Sequence, residues 1–188
     1  MGHPLRFQST NVQPITGLPP PVTTGGTQSF IDSSGDVWVA KPGVYNGTWQ
    51  RARDVLFSRW QRNNAWSLQT AMTVFGYDTV ASDLYGMYNS STGLWTVPVA
   101  GIYRCDMYIG IGTAATNSWI QIDMTGTFPQ IGAFYYASAG SQYLESHVSG
   151  TGVYPVNGQI GVSCNGSTVM SGMTGSATFG EIMYIGHG

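Results

Sequence analysis

The chain has 188 residues, of which 9% are charged and 26 are glycine, and its formal net charge is −2. A single lysine and two glutamates leave few residues for the solvated faces of helices, so the composition excludes a mainly helical protein. The scarcity of basic residues argues against nucleic-acid binding, because no cationic cluster is present to displace counterions from phosphates. Abundant serine, threonine and glycine instead indicate an all-β protein with many turns.

Residues 1–28 contain the segment PITGLPPPVTTGGT, which is uncharged and rich in proline. This composition predicts an extended N-terminal arm rather than a folded unit. The start of the sequence lacks the apolar core of a secretory signal, and no later stretch approaches the roughly 18 apolar residues of a membrane span. We therefore expect synthesis in the cytoplasm and no membrane insertion.

Residues 29–66 are interpreted as a small β module followed by a connector. In SFIDSSGDVWVAKPGVYNGTW, short apolar runs alternate with turn-forming residues, which is typical of hairpins. The following WQRARDVLFSRWQRNNAW is either one short helix or an extended crossing, since its periodicity fits both. We expect its arginines to pair with carboxylates of this chain or of a neighbouring chain, with docking on an acidic partner as the alternative. The residues concerned are Arg51, Arg53, Arg59 and Arg62, with Asp36 and Asp54 as partners.

Residues 67–188 show short β segments at a spacing typical of a sandwich or barrel. The alternation in IYRCDMYIGI, residues 102–111, separates an apolar face from a mixed polar and aromatic face. No internal repeat is present, which argues against a propeller or solenoid. Strands are predicted near residues 67–75, 84–88, 94–97, 101–111, 119–125, 132–138, 142–150, 158–164 and 178–185.

The two cysteines, Cys105 and Cys164, both fall on inward strand positions of this pattern. There a free thiol behaves as a small apolar group, so we expect two buried free thiols. A single disulfide between them is the alternative.

The segment TGLWTVPVAGIY contains a strand, a corner and the start of another strand. Pro98 ends the first strand because it has no N–H for the ladder, and Gly101 allows the chain to bend. This corner resembles that of the complement-1q and tumour-necrosis-factor jelly-roll superfamily. The resemblance covers about residues 67–185 and implies an antiparallel two-sheet jelly-roll sandwich that forms a homotrimer. It extends through YDTV, WIQIDMTG, VYPVNGQIGVSC and ATFGEIMYI.

The resemblance also implies that aromatic residues of one sheet form the trimer interface. By that analogy the candidate interface residues are Tyr108, Trp119 and Tyr184. Ordinary core or surface packing is the alternative for each of them.

The segment SFIDSSGDVWVAKPGVYNGTWQRARD resembles short modules that precede such jelly rolls in bacteriophage tail-fibre and minor tail proteins. This resemblance implies a virion structural protein made in the cytoplasm of a bacterial host. Its trimeric knob would attach to the host cell surface, while the arm and module would bind other virion proteins. The alternative is a capsid decoration or head-fibre trimer that stabilises or ornaments the phage head.

Sugar recognition combines aromatic faces, which stack on pyranose rings, with amide and hydroxyl groups. Two stretches contain these residue types, YN at residues 88–89 and FYYASAGSQY at residues 134–143. A host surface glycan is therefore the expected ligand, although the tyrosines could instead line sheet faces or the trimer axis. The candidate binding residues are Tyr88, Asn89, Tyr135, Tyr136 and Tyr143.

Catalytic and metal-binding patterns are missing from the sequence. His3, His147 and His187 have no zinc-site spacing, and neither a GxSxG elbow nor a phosphate-binding loop occurs. A polysaccharide depolymerase would need two paired carboxylates, and is the least favoured function because the candidates lie on separate strands. These candidates are Asp83, Asp106, Asp123, Glu145 and Glu181. Asp78 and Asp83 lack a calcium-site pattern. We expect no enzyme activity, no cofactor and no metal.

Overall fold

The computed structural model describes residues 6–7, 19–114, 116–126, 132–136 and 142–187. Within this part, regular structure is almost entirely β, beside a one-turn helix α1 (Ala52–Val55) and a 3-10 turn at Tyr45–Gly47. No helix of the described part is long and apolar enough to cross a membrane. The strands are β1 (Arg6–Phe7), β2 (Gln28–Ile31), β3 (Val37–Ala40), β4 (Gln50–Arg51), β5 (Phe57–Arg62), β6 (Ser67–Leu68), β7 (Thr73–Val74), β8 (Thr79–Asp83), β9 (Tyr88–Asn89), β10 (Leu94–Thr96), β11 (Gly101–Ala114), β12 (Trp119–Gly126), β13 (Gly132–Tyr136), β14 (Gln142–Tyr154), β15 (Gln159–Gly166), β16 (Met170–Ser171) and β17 (Gly175–Gly186).

Two antiparallel sheets form the sandwich, and the predicted all-β class is confirmed. The front sheet has the strand order β14-β11-β17-β5-β8, and the back sheet has the order β13-β12-β15-β10-β9, with β7 also paired to β15. Strands β6 and β16 pair separately with each other. Between the sheets lies one hydrophobic core, whose largest fully buried side chains include Trp95, Tyr77 and Tyr103.

Strand β11 forms the centre of the front sheet because its sequence alternates with the period of a β-strand. Cys105, Met107 and Ile109 are completely buried on its inward side, as the sequence predicts. Its start requires glycine at position 101, where a Cβ atom would lie 2.3 Å from the Tyr184 ring. The predicted corner before this strand is therefore confirmed. Both cysteines are buried and free, in agreement with the prediction.

The module before the sandwich is a sheet with the strand order β1-β2-β3-β4. One side has its own apolar cluster, in which the Phe30 ring meets the Trp49 ring edge-on at 4.9 Å. On the other side, Val37 and Val39 belong to the main core of the sandwich. The module is therefore fixed to the sandwich by shared apolar packing. Residues 1–5 and 8–18 of the predicted arm lie outside the described residues. The predicted division into an arm, a module with connector and a jelly-roll domain stays a prediction.

The connector contains both structures left open by the sequence, a one-turn helix and an extended strand. Strand β5 pairs with β17 and β8, so the front sheet begins before the predicted boundary at residue 67. The strand was hard to identify because its inward residue Ser58 is polar. Ser58 is nevertheless completely buried, and its hydroxyl accepts a hydrogen bond from Trp95 Nε1 at 2.8 Å.

Two predicted strands differ from the structure. Residues 84–87 form a turn instead of a strand, because the Asp83 carboxylate accepts the backbone N–H groups of Met87 and Tyr88 at 2.8 and 3.0 Å. The predicted strand at 67–75 is divided into the short strands β6 and β7, separated by residues without regular structure.

Candidate functional site

The outward side of the front sheet, called here the front face, carries the most distinctive surface of the chain. Strand alternation and the pairing register place side chains from four adjacent strands on it. The register sets Asp106 opposite Glu181 and Ser149, and Tyr108 opposite Phe179 and His147. Its residues are Phe57, Arg59 and Gln61 of β5, Phe179, Glu181 and Met183 of β17, Ile102, Arg104, Asp106 and Tyr108 of β11, and His147, Ser149, Thr151 and Val153 of β14.

Three stacked rings form one row of the front face. The Tyr108 ring lies between the His147 ring, at 4.0 Å and 13°, and the Phe179 ring, at 4.3 Å and 19°. The Arg59 guanidinium lies over the Phe179 ring at the end of this row, 4.0 Å from the ring centroid. All four side chains are only half-buried. The stack fixes the rings in place while leaving aromatic surface available for a partner.

A second row consists of paired charges. Arg59 Nη1 lies 3.3 Å from Glu181 Oε2, and Arg104 Nε donates a hydrogen bond to Asp106 Oδ2 at 2.8 Å. His147 Nε2 lies 3.3 Å from the other oxygen of Asp106. Only 4% of Asp106 is exposed. Burial alone would raise the pKa of Asp106, but hydrogen bonds from Arg104, Ser149 and His147 hold it below the usual value, so the carboxylate is charged.

Two apolar pairs lie on the other side of the charges, and Arg104 is opposite Met183 of the second pair. Ile102 pairs with Val153 across the β11–β14 ladder, and Phe57 pairs with Met183 across the β5–β17 ladder. Val153 is exposed, and the other three side chains are half-buried. Apolar and aromatic rows on both sides of paired charges are typical of a surface that contacts another protein.

Of the three predicted interface residues, only Tyr108 lies on the front face. Tyr184 points into the core with 4% of its surface exposed, and its ring lies 5.3 Å from that of Tyr103. Trp119 belongs to β12 of the back sheet, which does not contribute to this face. Tyr184 shares the inward alternation of Ile182, so in the single chain it has the core packing that was its alternative. The predicted interface role of these residues stays a prediction.

The predicted glycan-binding residues do not form one site. Tyr88 and Asn89 belong to β9, and Tyr135 and Tyr136 belong to β13, which lies at the opposite edge of the back sheet. Tyr143 belongs to β14 of the front sheet. The two predicted stretches therefore lie apart, while β13 and β14 of the second stretch contact each other through Tyr135 and His147.

Tyr88 is a core residue with 7% of its surface exposed. Its ring lies 4.4 Å from that of Trp95 and 4.7 Å from that of Trp60, and its hydroxyl accepts the Tyr77 N–H at 2.6 Å. Burial raises the pKa of Tyr88 to about 12. Its ring is covered on both sides and does not fit the predicted role of stacking on a sugar.

The other candidates have local roles in the structure. Asn89 Oδ1 accepts the N–H and hydroxyl of Ser91 and closes a turn. The Tyr135 hydroxyl donates to the carbonyl of His147 and accepts the N–H of the same residue, which joins β13 to β14. Tyr143 is 73% exposed, so it is available to a ligand. The side chain of Tyr136 lies outside the described residues.

Hydrogen bonds or ion pairs engage most candidate carboxylates, whereas Glu145 is exposed. The engaged ones are Asp78, Asp83, Asp106, Asp123 and Glu181. Asp78 accepts the N–H groups of Asn63 and Asn64, which outweigh the effect of its burial and lower its pKa. Asp106 and Glu181 face each other on adjacent strands, but each is paired with an arginine. Glycoside hydrolysis needs a carboxyl group with a raised pKa, which Asp106 does not have. Within the described residues, no three His, Cys, Asp or Glu side chains are close enough to hold a metal ion.

The predicted arginine pairing is found in the structure. Arg51 lies 3.7 Å from Asp36, and Arg53 lies 3.9 Å from Asp54. Arg62 lies 3.3 Å from Asp78, and Arg59 pairs with Glu181. Arg59 also contributes to the front face, which the sequence did not identify. The alternation of FSRWQR and ATFGEIMYI was the available signal, since it places Arg59 and Phe179 on the sides opposite Ser58 and Ile182.

Comparisons with known proteins identify the fold. No protein-family model matches the sequence, and no curated protein matches it. Among solved structures, the globular domain of zebrafish complement 1qA protein has a TM-score of 0.53 and 11% identity, covering 70% of this chain and 98% of that one. Eiger TNF from S. frugiperda has a TM-score of 0.54 and 9% identity, covering 70% and 93%. Murine APRIL at pH 5.0 has a TM-score of 0.51 and 12% identity, covering 69% and 98%. The chain therefore has a complement-1q/TNF-like jelly-roll fold.

Proposed function

We propose that this chain is a non-enzymatic structural and attachment protein of a bacteriophage virion, in which three copies form a knob by covering one another's front faces. The observation that carries the proposal is the front face itself. Its stacked rings and apolar side chains, of which Val153 is exposed and the others half-buried, would be costly to leave in water. A partner surface that covers them explains why they are ordered but only half-buried.

A second copy of the chain is the occupant that the charges favour. The front face contains two arginines, Arg59 and Arg104, and two carboxylates, Asp106 and Glu181, so it carries both signs of charge. A surface with both signs can meet another copy of itself without repulsion between like charges. The superfamily resemblance in the sequence, together with the shared fold, supports three copies rather than two.

Attachment to a host surface follows from what a trimer can do. Three identical binding sites held together in one knob convert weak single contacts with a repetitive glycan into tight binding. Tyr143 is exposed and has the ring that sugar stacking requires. The virion location is supported by the resemblance of residues 29–54 to modules of phage tail proteins.

Light scattering on the purified chain tests the assembly. We expect a mass three times that of the single chain, which is 20.2 kDa. A stable single chain at micromolar concentration would refute the trimer.

Antibody labelling of virions, observed by electron microscopy, tests the location. Label at the tail tip supports the proposed attachment role, and label on the shell would replace it with head decoration. Incubation with host polysaccharide should release no oligosaccharide, and release would identify a depolymerase instead.

A further inference from the structure

A cavity of about 560 Å³ lies where the N-terminal module meets the sandwich. The module contributes the turn before β2 and the Lys41 turn, while the sandwich contributes the loop before β9 and two corners beside β10 and β15. This volume is within the range of small-molecule sites in proteins. The residues that line it are Gly26, Thr27, Gln28, Ser29, Lys41, Tyr85, Gly86, Met87, Thr96, Pro98, Val156 and Asn157.

Lys41 is the only lysine of the chain, and it lines this cavity. Its Nζ donates a hydrogen bond to the Tyr85 carbonyl at 2.6 Å, which uses one of three donors. Among the described residues, no carboxylate lines the cavity and none forms an ion pair with Lys41. The cavity therefore holds a positive charge that this part of the chain does not neutralise.

The loop that carries the Tyr85 carbonyl is held firmly. Both oxygens of the Asp83 carboxylate accept hydrogen bonds, one from the N–H of Met87 and the other from those of Tyr88 and the Trp60 indole. Gly86 completes the turn with a φ of +63°. The carboxylate nearest in sequence to the cavity wall is thus fully occupied, and the wall does not need a ligand to form.

The opposite wall is also fixed by backbone pairing. The N–H of Asn157 donates to the carbonyl of Val97, and the N–H of Val97 donates to that of Gly158, both at 2.9 Å. The side chains of Gln28, Thr96 and Asn157 form no hydrogen bond with other described residues. The cavity is therefore lined by amide and hydroxyl groups that are free to bind a ligand.

We propose that this cavity binds a sugar residue that carries one negative charge, either a carboxylate or a phosphate. Lys41 would bind the anionic group by a charge-assisted hydrogen bond, and the amide and hydroxyl side chains would bind the sugar hydroxyls. Pro98 and Val156 supply apolar surface for the carbon face of the ring. The inference rests on the proposed attachment function and assigns it an acidic glycan.

The single lysine provides a specific reporter. Incorporation of ¹³C-lysine labels Lys41 alone and leaves the three N–H donors of its ammonium group in place. Titration with methyl β-D-glucuronide, followed by NMR, should shift the Lys41 Cε signal in a saturable manner. Methyl β-D-glucoside, which has the same ring without the charge, should bind at least about tenfold more weakly. Glucose 6-phosphate and inorganic phosphate serve as further probes that distinguish a carboxylate from a phosphate and a sugar from a bare anion.

Variants identify the cavity as the site. Lys41→Gln should lower the affinity for methyl β-D-glucuronide at least about tenfold, measured by calorimetry on unmodified protein. Arg53→Gln removes the same charge from an exposed side chain elsewhere and should leave the affinity unchanged. Val156→Trp fills the cavity from its exposed rim, keeps Lys41, and should also abolish binding.

The outcomes separate this inference from the proposed function. No saturable shift with either charged sugar, equal binding of methyl β-D-glucoside, or unchanged binding by Val156→Trp would overturn the cavity inference. Binding of inorganic phosphate as tightly as glucose 6-phosphate would also overturn it, because no sugar would be recognised. A single chain that binds methyl β-D-glucuronide would refute the trimer but support the cavity. A trimer that binds neither charged sugar would support the assembly and refute the cavity inference.

Discussion

The outward sides of the two sheets follow the same two-residue alternation but carry different residues. On the front face, β11 and β17 present Tyr108 and Phe179 in a ring stack beside paired charges. On the back sheet, β12 presents Gln121 and Asp123, which hydrogen-bond to each other at 2.9 Å. Amides and carboxylates of this kind are well solvated, whereas stacked rings are not. This comparison supports the proposal that another copy covers the front face, while the polar side chains of the back sheet stay in water.

The largest expected effect on stability concerns the inward side of β11, which packs in the core between the two sheets. Ile109 is completely buried, so Ile109→Ala should lower the free energy of unfolding by about 2–5 kcal/mol. Gln121→Ala, on the outward side of β12, should change it by less than about 0.5 kcal/mol. Urea unfolding followed by fluorescence measures both. Similar losses for the two variants would contradict the assignment of inward and outward sides.

The front face and the back sheet can be compared directly with two aromatic substitutions. Phe179→Ser should weaken self-association by about 2 kcal/mol or more, roughly thirtyfold, because aromatic residues at the centre of interfaces dominate their stability. Trp119→Ser removes a half-buried ring from the back sheet and should leave the mass in solution unchanged. Sedimentation velocity across a dilution series measures the shift. If Trp119→Ser caused dissociation and Phe179→Ser did not, the back sheet and not the front face would form the contact between copies.

A smaller effect on stability is expected at Gly180, which follows Phe179 on β17 and faces the core. A Cβ atom at Gly180 would lie 2.7 Å from the Trp95 ring and 2.8 Å from Met107 Sδ. Gly180→Ala should therefore destabilise the fold by about 1–3 kcal/mol through overpacking. Gly112→Ala is the matched control, since its nearest neighbour would be at 3.7 Å. Thermal unfolding of both variants tests this difference, and a harmless Gly180→Ala would mean that the core is loosely packed there.

The smallest effect concerns the charged row. The pKa of Asp106 is lower in the folded chain than the unfolded value of about 3.9, so its ionised form stabilises the fold above that pH. This contribution is lost as the pH falls through the folded pKa. The stability difference between wild type and Asp106→Asn should therefore shrink as the pH falls below about 4. A difference that grows at acid pH would contradict the charged state assigned to Asp106.

The sequence predicted the fold well wherever inward residues are apolar. Strands β11, β12 and β15 were located within a few residues because their alternation is uninterrupted. The segment of strand β5 was left open between a helix and an extended crossing, because Ser58 occupies an inward position, where a hydrogen bond to Trp95 replaces apolar packing. The turn at 84–87 was mistaken for a strand because the capping role of Asp83 depends on its orientation, which composition does not reveal.

The candidate site was predicted only in part. Tyr108 was identified, but its stacking partners His147 and Phe179 come from strands far away in the sequence. Their meeting depends on the register of two ladders, which single-strand alternation does not determine. Tyr88 was proposed as a surface residue because a tyrosine next to an asparagine is a residue pair typical of sugar-binding surfaces. In the structure its ring is buried in the core.

Hydroxyl-radical footprinting tests most directly which surface is covered. Oxidation rates of Met183 and Phe57 on the front face, and of Trp119 on the back sheet, are compared between wild type and Phe179→Ser. Neither Met183 nor Phe57 pairs with Phe179, so the substitution itself does not uncover them. We predict that Met183 and Phe57 react several times more slowly in wild type, while Trp119 reacts equally in both. Equal rates at Met183 and Phe57, or protection at Trp119 instead, would contradict the claim that sister chains cover the front face.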